Sequence, residues 1–325
     1  MGRRVRLLAL AVLGMLLVAS SLAQPKIYRI AMLERDSAEA NAVNFNALRR
    51  GFRELGYVEG KNLAIGYRSA DGRDDRYPAL CAEAVGRKAD LIIAGGTPPA
   101  LACKRATATI PIVFAGAGDP VGDGLVASFA RPGGNITGFT SASNQLAAKR
   151  LEVLREVLPK ATHIGALMNL GNPSVVSHRK ELEAAAQVLG IRLAVYDVRN
   201  SANLRTAVAQ AAKQRVDALY VPIDSLADFN RKLIADLALR HRLPTINAES
   251  SYVDAGGLIS YGSNTPARYY KLASVADKIF KGAKAGDIPV EQPDLFLMAI
   301  NLKTAKALRV TIPKKVLFRA DRMIQ

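Results

Sequence analysis

Histidine and cysteine are scarce in this chain, and their scarcity excludes much chemistry. Only three histidines and two cysteines occur among 325 residues. His163, His178 and His241 have no paired ligand spacing with each other or with the cysteines, so no metal site is expected. Each reads as a surface or capping histidine. No G-x-S-x-G elbow occurs, and neither cysteine has a histidine partner in its sequence context, so a nucleophilic enzyme is not indicated. Tryptophan is absent while glycine is plentiful, which suits Ala-rich helices and tight strand-to-helix turns. After the N-terminus no window approaches a membrane span.

Basic charge, by contrast, is in excess, with a formal net charge of +17. Nucleic acid or an anionic surface is one explanation. The pattern does not favour it. Lysines and arginines are scattered on helix faces, as at Lys278, Lys281 and Lys284, with no dense run interleaved with aromatics. A solvated basic surface is expected, with no nucleic-acid partner.

The N-terminus has its own logic. Arg3, Arg4 and Arg6 precede an apolar run from Leu7 to Val18, followed by Ser21-Leu22-Ala23. A basic region, a short apolar region and small residues at −3 and −1 read as a secretory signal peptide over residues 1–23, cleaved after Ala23. The residue directly after the cleavage site is Gln24, not a cysteine, so a lipid anchor is not expected. An exported, periplasmic protein follows. That compartment permits a disulfide between Cys81 and Cys103. Their helices flank the strand Asp90–Ala94, and right-handed crossovers would put both on one face of the sheet. Two buried thiols are the alternative.

Short apolar strands alternate with amphipathic helices. Strands are expected at Ile27–Leu33, Leu63–Tyr67, Asp90–Ala94 and Ile112–Ala115, with helices at Ala38–Leu55, Tyr77–Lys88 and Pro98–Ala106 between them. The pattern restarts with helix Leu146–Leu158, strand His163–Met168, helix Ser174–Leu189 and strand Arg192–Tyr196. Ser201 is a candidate cap for helix Leu204–Gln214. Strand Ala218–Val221, helix Leu226–Arg240 and strand Thr245–Asn247 complete it, and a helix is expected at Thr265–Phe280. This is α/β: two doubly wound, Rossmann-like lobes with parallel sheets. Crossovers are expected at Gly133-Gly134 and Gly138, around a short strand at Asn135–Phe139, at Ser260–Asn264 and, more weakly marked, at Gly286–Pro293. The first lobe then takes 24–141 plus about 262–290, and the second 142–261 plus about 291–325.

Ligands of open parallel sheets bind beyond the carboxyl ends of the strands. Three strand ends stand out. At Gly95-Gly96-Thr97-Pro98 a buried strand meets a helix start, whose N–H groups and dipole favour an anion; ordinary capping by Thr97 is the alternative. Gly116–Gly124 reads GAGDPVGDG, too polar for a core. It is no dinucleotide fingerprint, since Val121 takes the third glycine's place, and it lacks the Lys-Ser/Thr of a P-loop. Gly116 and Asp119 are its candidate ligand contacts, although Asp119-Pro120 also suits a plain turn. Asp224, just past a strand, can hold an amine, cap the next helix, or both.

Several segments resemble a known family. They are "GFRELGYVEGKNLAIGYR" (51–68), "DLIIAGGTPPAL" (90–101), "IPIVFAGAGDPVGDGLVASFARPGGNITG" (110–138), "LPTINAESSYVDAGGLISYG" (243–262), "INLKTAKALRVTIP" (300–313) and the ending "LFRADRMIQ". The chain resembles substrate-binding proteins of ABC transporters, in the family that includes tryptophan- and tyrosine-binding members. The resemblance implies a periplasmic-binding-protein type I-like fold whose lobes close on a small ligand. It implies no catalysis, no cofactor, a membrane permease as partner and a monomer. It places the ligand carboxylate at Thr97, the ammonium at Asp224, and a second-lobe contact in the turn Asn169–Ser174. "NLGNPS" in that turn and "LERDSAEAN" at 33–41 depart from the tryptophan-binding pattern, which bears on side-chain specificity. Tyr261, in the second crossover, completes the candidate contacts. A sensor domain of a transcription factor would need a helix-turn-helix where the signal peptide stands. A periplasmic enzyme would need a reactive constellation. Partnership with a membrane sensor kinase has the same sequence signature as transport.

Overall fold

The computed structural model describes residues 26–325; the signal-peptide reading lies outside the described residues. Two sheets organise the chain. In order, the first part contains β1 (Tyr28–Glu34), α1 (Ala42–Glu54), β2 (Leu63–Ser69), α2 (Tyr77–Gly86), β3 (Leu91–Ala94), α3 (Thr97–Ala106), β4 (Ile112–Ala117) and β5 (Ile136–Thr140). Its strands pair in the order β2-β1-β3-β4-β5, all parallel. Apolar clusters cover both faces: Leu48, Phe52 and Leu272 on one, Tyr77, Cys81, Cys103 and Phe114 on the other. That is why β3 and β4 read as continuous apolar runs.

The second part contains α4 (Ala147–Val157), β6 (His163–Met168), α5 (Pro173–Val188), β7 (Arg192–Asp197), α6 (Ser201–Lys213) and β8 (Ala218–Val221). It continues with α7 (Ser225–Phe229), α8 (Arg231–Arg240), β9 (Thr245–Asn247), α9 (Ser250–Asp254) and β10 (Ile259–Ser263). Helix α10 (Thr265–Phe280) then packs on α1. The end of the chain is β11 (Phe296–Asn301), α11 (Leu302–Leu308), α12 (Lys314–Phe318) and β12 (Arg322–Ile324). The second sheet runs β12-β11-β10-β9-β8-β6-β7, parallel except where β10 meets β11. It too is covered on both faces. The fold is α/β with two lobes, as the sequence pattern indicates.

Several local expectations need correction. The short strand expected at Asn135–Phe139 is β5, paired with β4, and the crossing comes after it. Gly138 has φ +153, and a Cβ there would lie 2.2 Å from the Phe114 carbonyl oxygen, so the close strand contact demands glycine. The chain crosses after β5, through residues 141–146. Ser260–Ser263 likewise belongs to β10 of the second sheet, and the crossing follows at Asn264. Residues 286–291 run beside β5, with the Glu291 N–H donating to the Gly138 carbonyl at 3.0 Å. Helix α6 is capped by Asn200, whose side chain accepts from the Asn203 N–H at 3.0 Å, not by Ser201. The helix expected over Leu226–Arg240 is broken at Asn230, which ends α7 and precedes α8.

Cys81 on α2 and Cys103 on α3 form a disulfide with Cα atoms 5.1 Å apart. It ties the two helices that cover one face of the first sheet.

Candidate functional site

In each sheet one strand has neighbours reached in opposite directions: β1 lies between β2 and β3, and β6 between β7 and β8. Such switch points leave a crevice at the strands' carboxyl ends. The two crevices face each other as one cleft of about 540 Å³, counting its open mouth. From the first lobe come Arg35, Tyr77, the Gly95–Pro99 turn, Gly116 and Gly118. From the second come Asn172, Ser174, His178, Ile223, Asp224 and Ser225, and the crossing segment adds Ser141, Ser143 and Asn144.

The anion-favouring end is the start of α3. Gly96 is the N-cap and Thr97 the first helical residue, followed by two prolines, which fit because their missing N–H groups lie outside the helical ladder. The α3 dipole directs its positive end into the cleft. A Cβ on Gly96 would meet nothing nearer than the Gly116 carbonyl oxygen at 3.9 Å. It would therefore project into the cleft without disturbing the fold. The Thr97 hydroxyl donates to Asp123 at 3.3 Å. Asp123 also accepts from Ser177 of α5 at 3.2 Å, a hydrogen bond between the lobes. Burial pushes the Asp123 carboxyl up, opposed by these hydroxyls.

The cation-favouring end is Asp224, only 3% exposed. One oxygen caps α7, accepting from the Leu226 and Ala227 N–H groups at 2.9 and 3.2 Å. The other accepts from Asn172 at 2.9 Å and Asn169 at 3.3 Å. All four donors are neutral, and no Lys or Arg among the described residues pairs with it. Burial raises its pKa against the pull of those hydrogen bonds. Asp74 of the first lobe is pushed up to about 6, chiefly by burial and then by the charge of Asp224.

Behind the cleft lies a polar network. Arg150 is 0% exposed and donates to the Tyr261 carbonyl (2.8 Å), the Ser143 carbonyl (2.9 Å) and the Tyr220 hydroxyl (3.0 Å). His178 bridges Tyr220 at 2.9 Å and Asn144 at 3.1 Å. It is therefore neither a surface nor a capping histidine. Burial, then the Arg150 charge, pulls its pKa down to about 3, so the ring is neutral at physiological pH. His163 accepts from Arg192 at 2.8 Å, and His241 follows the end of α8.

The cleft brings together Gly96, Thr97, Gly116, Ser174 and Asp224 of the sequence candidates. Asn169 stands one step behind, holding Asp224. Asp119 and Tyr261 are outside the lining. The Asp119 carboxylate turns back to accept the Gly122 N–H at 2.9 Å. The Tyr261 ring packs on the second lobe's core and against Phe296, centroids 6.4 Å apart. Sequence reasoning missed Arg35, Tyr77, Ser143, Asn144 and His178. Arg35 was within reach, since it directly follows β1 and the strand-end rule applies to β1 as it does to β3. Among the described residues no cluster of three or more His, Cys, Asp or Glu side chains is arranged to hold a metal, and no helix is long and apolar enough to cross a membrane.

The family described as ABC transporter substrate binding protein matches residues 26–324. The chain belongs to this family. It is 30% identical over 260 residues to a tyrosine-binding protein of Clostridioides difficile, covering 80% of this chain and 74% of the relative. A structure from Vibrio cholerae, described as a conserved domain protein, superposes with a TM-score of 0.87 at 30% identity, covering 92% of this chain and all of that one. A Streptococcus pneumoniae ABC domain in complex with L-Trp superposes with a TM-score of 0.83 at 26% identity, covering 91% and 100%. More distant structures, including a leucine-binding protein of Thermotoga maritima at 13% identity and TM-score 0.60, share the fold alone. This ABC substrate-binding protein thus has the two-lobed fold of type I binding proteins, with a cleft between the lobes.

Proposed function

We propose that this protein captures an amino acid, or a related small carboxylate, between its lobes and delivers it to an ABC permease. One observation carries the reading. A buried carboxylate without a cationic partner, Asp224, and the start of α3 line one cleft from different lobes. A ligand with a carboxylate at one end and an ammonium at the other matches both poles, and by bridging them favours closure. The relatives named for tyrosine and bound to L-Trp support the same class. The lobes are taken as 24–141 plus about 262–290 and 142–261 plus about 291–325. Export to the periplasm with cleavage after Ala23 belongs to the same proposal, as does a monomeric state; intact mass of the exported protein should begin at Gln24.

Asp224→Asn keeps a good N-cap and removes the charge, while Gly96→Ala adds one methyl to the cleft. A charged hydrogen bond contributes about 1.5–3 kcal/mol, so Asp224→Asn should weaken amino-acid binding on the order of ten- to a hundredfold. A simple carboxylate should lose little. Native mass spectrometry of protein from the periplasm should find a small molecule on the wild type and not on either variant. Equal retention by all three would place the ligand elsewhere.

A further inference from the structure

We infer that the cleft selects a compact polar amino acid and rejects aromatic ones. The inference rests on the proposed amino-acid function and concerns the part of the ligand between the two poles. An aromatic side chain must bury roughly 150–250 Å² of mostly apolar surface, so it needs an apolar slot. This cleft has none. Among the described residues its only apolar side chains besides Tyr77 are Pro98, Pro99 and Ile223, and no Phe, Leu, Val or Met lines it. Tyr77, the single phenol ring in the lining, is 1% exposed and packed among Cys81, Ala100 and Phe114 in the first lobe's core. It has no face free for stacking.

What does line the space between the poles is hydroxyl and amide. Ser141, Ser143, Asn144, Ser174 and Ser225 all reach it. An aromatic ring placed there would strip water from these groups and return at most one hydrogen bond, from a tyrosine hydroxyl or a tryptophan N–H, and each buried group left unpaired costs about 1–3 kcal/mol. A short polar side chain would satisfy them.

Size points the same way. Widening the cleft would separate groups that bind across the lobes. Arg35 lies 3.3 Å from Asp228, and Arg231 lies 3.0 Å from Asp36. Both pairs are largely buried. Asp123 and Ser177 add a third link at 3.2 Å. A bulky ligand must break such links; a compact one leaves them formed.

The test is calorimetric titration of protein stripped of endogenous ligand by unfolding and refolding. Glycine, alanine, serine, threonine and asparagine form one panel; phenylalanine, tyrosine and tryptophan form the other. At least one compact ligand should bind about tenfold or more tightly than every aromatic one, and Asp224→Asn should weaken it by a similar factor. An aromatic amino acid binding as well as the best compact one would overturn the inference while leaving the amino-acid function standing. Binding by no member of either panel would overturn both the inference and the amino-acid reading it rests on. Compact-ligand affinity unchanged in Asp224→Asn would overturn the assignment to this cleft.

Discussion

Arg150 is the bulkiest side chain fully removed from solvent, and among the described residues no carboxylate pairs with it. Neutral oxygens alone hold its charge: two carbonyls and the Tyr220 hydroxyl. Arg150→Met would keep much of the volume but strip the two buried carbonyls of this donor, while the Tyr220 hydroxyl keeps His178. At about 1–3 kcal/mol for each buried group, the loss should be on the order of 3 kcal/mol or more, read as a lower urea midpoint with an unchanged m-value. His178 makes a separate prediction. Its folded pKa is about 3 against an ordinary 6.5, so between those values the unfolded chain binds a proton that the folded chain does not. Its contribution is complete above 6.5 and is lost as pH falls towards 3. His178→Gln removes that term. The melting temperature should therefore drop less between pH 7 and pH 5 in the variant than in the wild type. Neither residue could be ranked from sequence, because burial of a His or Arg depends on which helices meet above it. Gly96, Thr97 and Asp224 could, because a strand end followed by a helix start is a local pattern.

Helices and strands were legible where they held a full period. Helix α10 has the bounds its pattern predicts, and β6 and β8 do as well. Helices α7, α9 and α12, with five residues each, are too short for a 3.6-residue repeat to show. The antiparallel pairing of β10 with β11 was also hidden, because strand direction is decided by where α10 returns the chain. The Cys81–Cys103 link acts at this scale. It closes a loop with a separation of 22 residues, for which chain entropy gives about 3 kcal/mol. Cys81→Ala with Cys103→Ala should lower the chemical-denaturation stability by up to that amount, and reducing agent should lower the wild type but not the variant. Equal stability of wild type with and without reductant would remove the link from the account.

Across the whole molecule, three chain crossings and a few polar contacts join the lobes. The pair Arg231–Asp36 joins the two lobes with side chains 18% and 10% exposed, dry enough to matter more than a surface ion pair. Arg231→Ala touches no cleft-lining residue by itself, yet it should weaken ligand binding by depopulating the closed form. Calorimetry should show a raised Kd with unchanged stoichiometry. Wild-type affinity in this variant would mean that the pair contributes nothing to closure. Two lobes were readable from the restart of the strand–helix alternation after Phe139. Their mutual closeness was not, since Arg35, Asp36, Asp228 and Arg231 are charged residues that a sequence alone assigns to solvent.

Closure of the lobes around a ligand changes the overall dimensions of the protein, which small-angle scattering reads. The wild type would be measured stripped of ligand and again saturated with the tightest amino acid found by calorimetry. A smaller radius of gyration is expected when loaded, with Asp224→Asn contracting less at a ligand concentration that just saturates the wild type. An identical radius for stripped and saturated wild type would contradict closure.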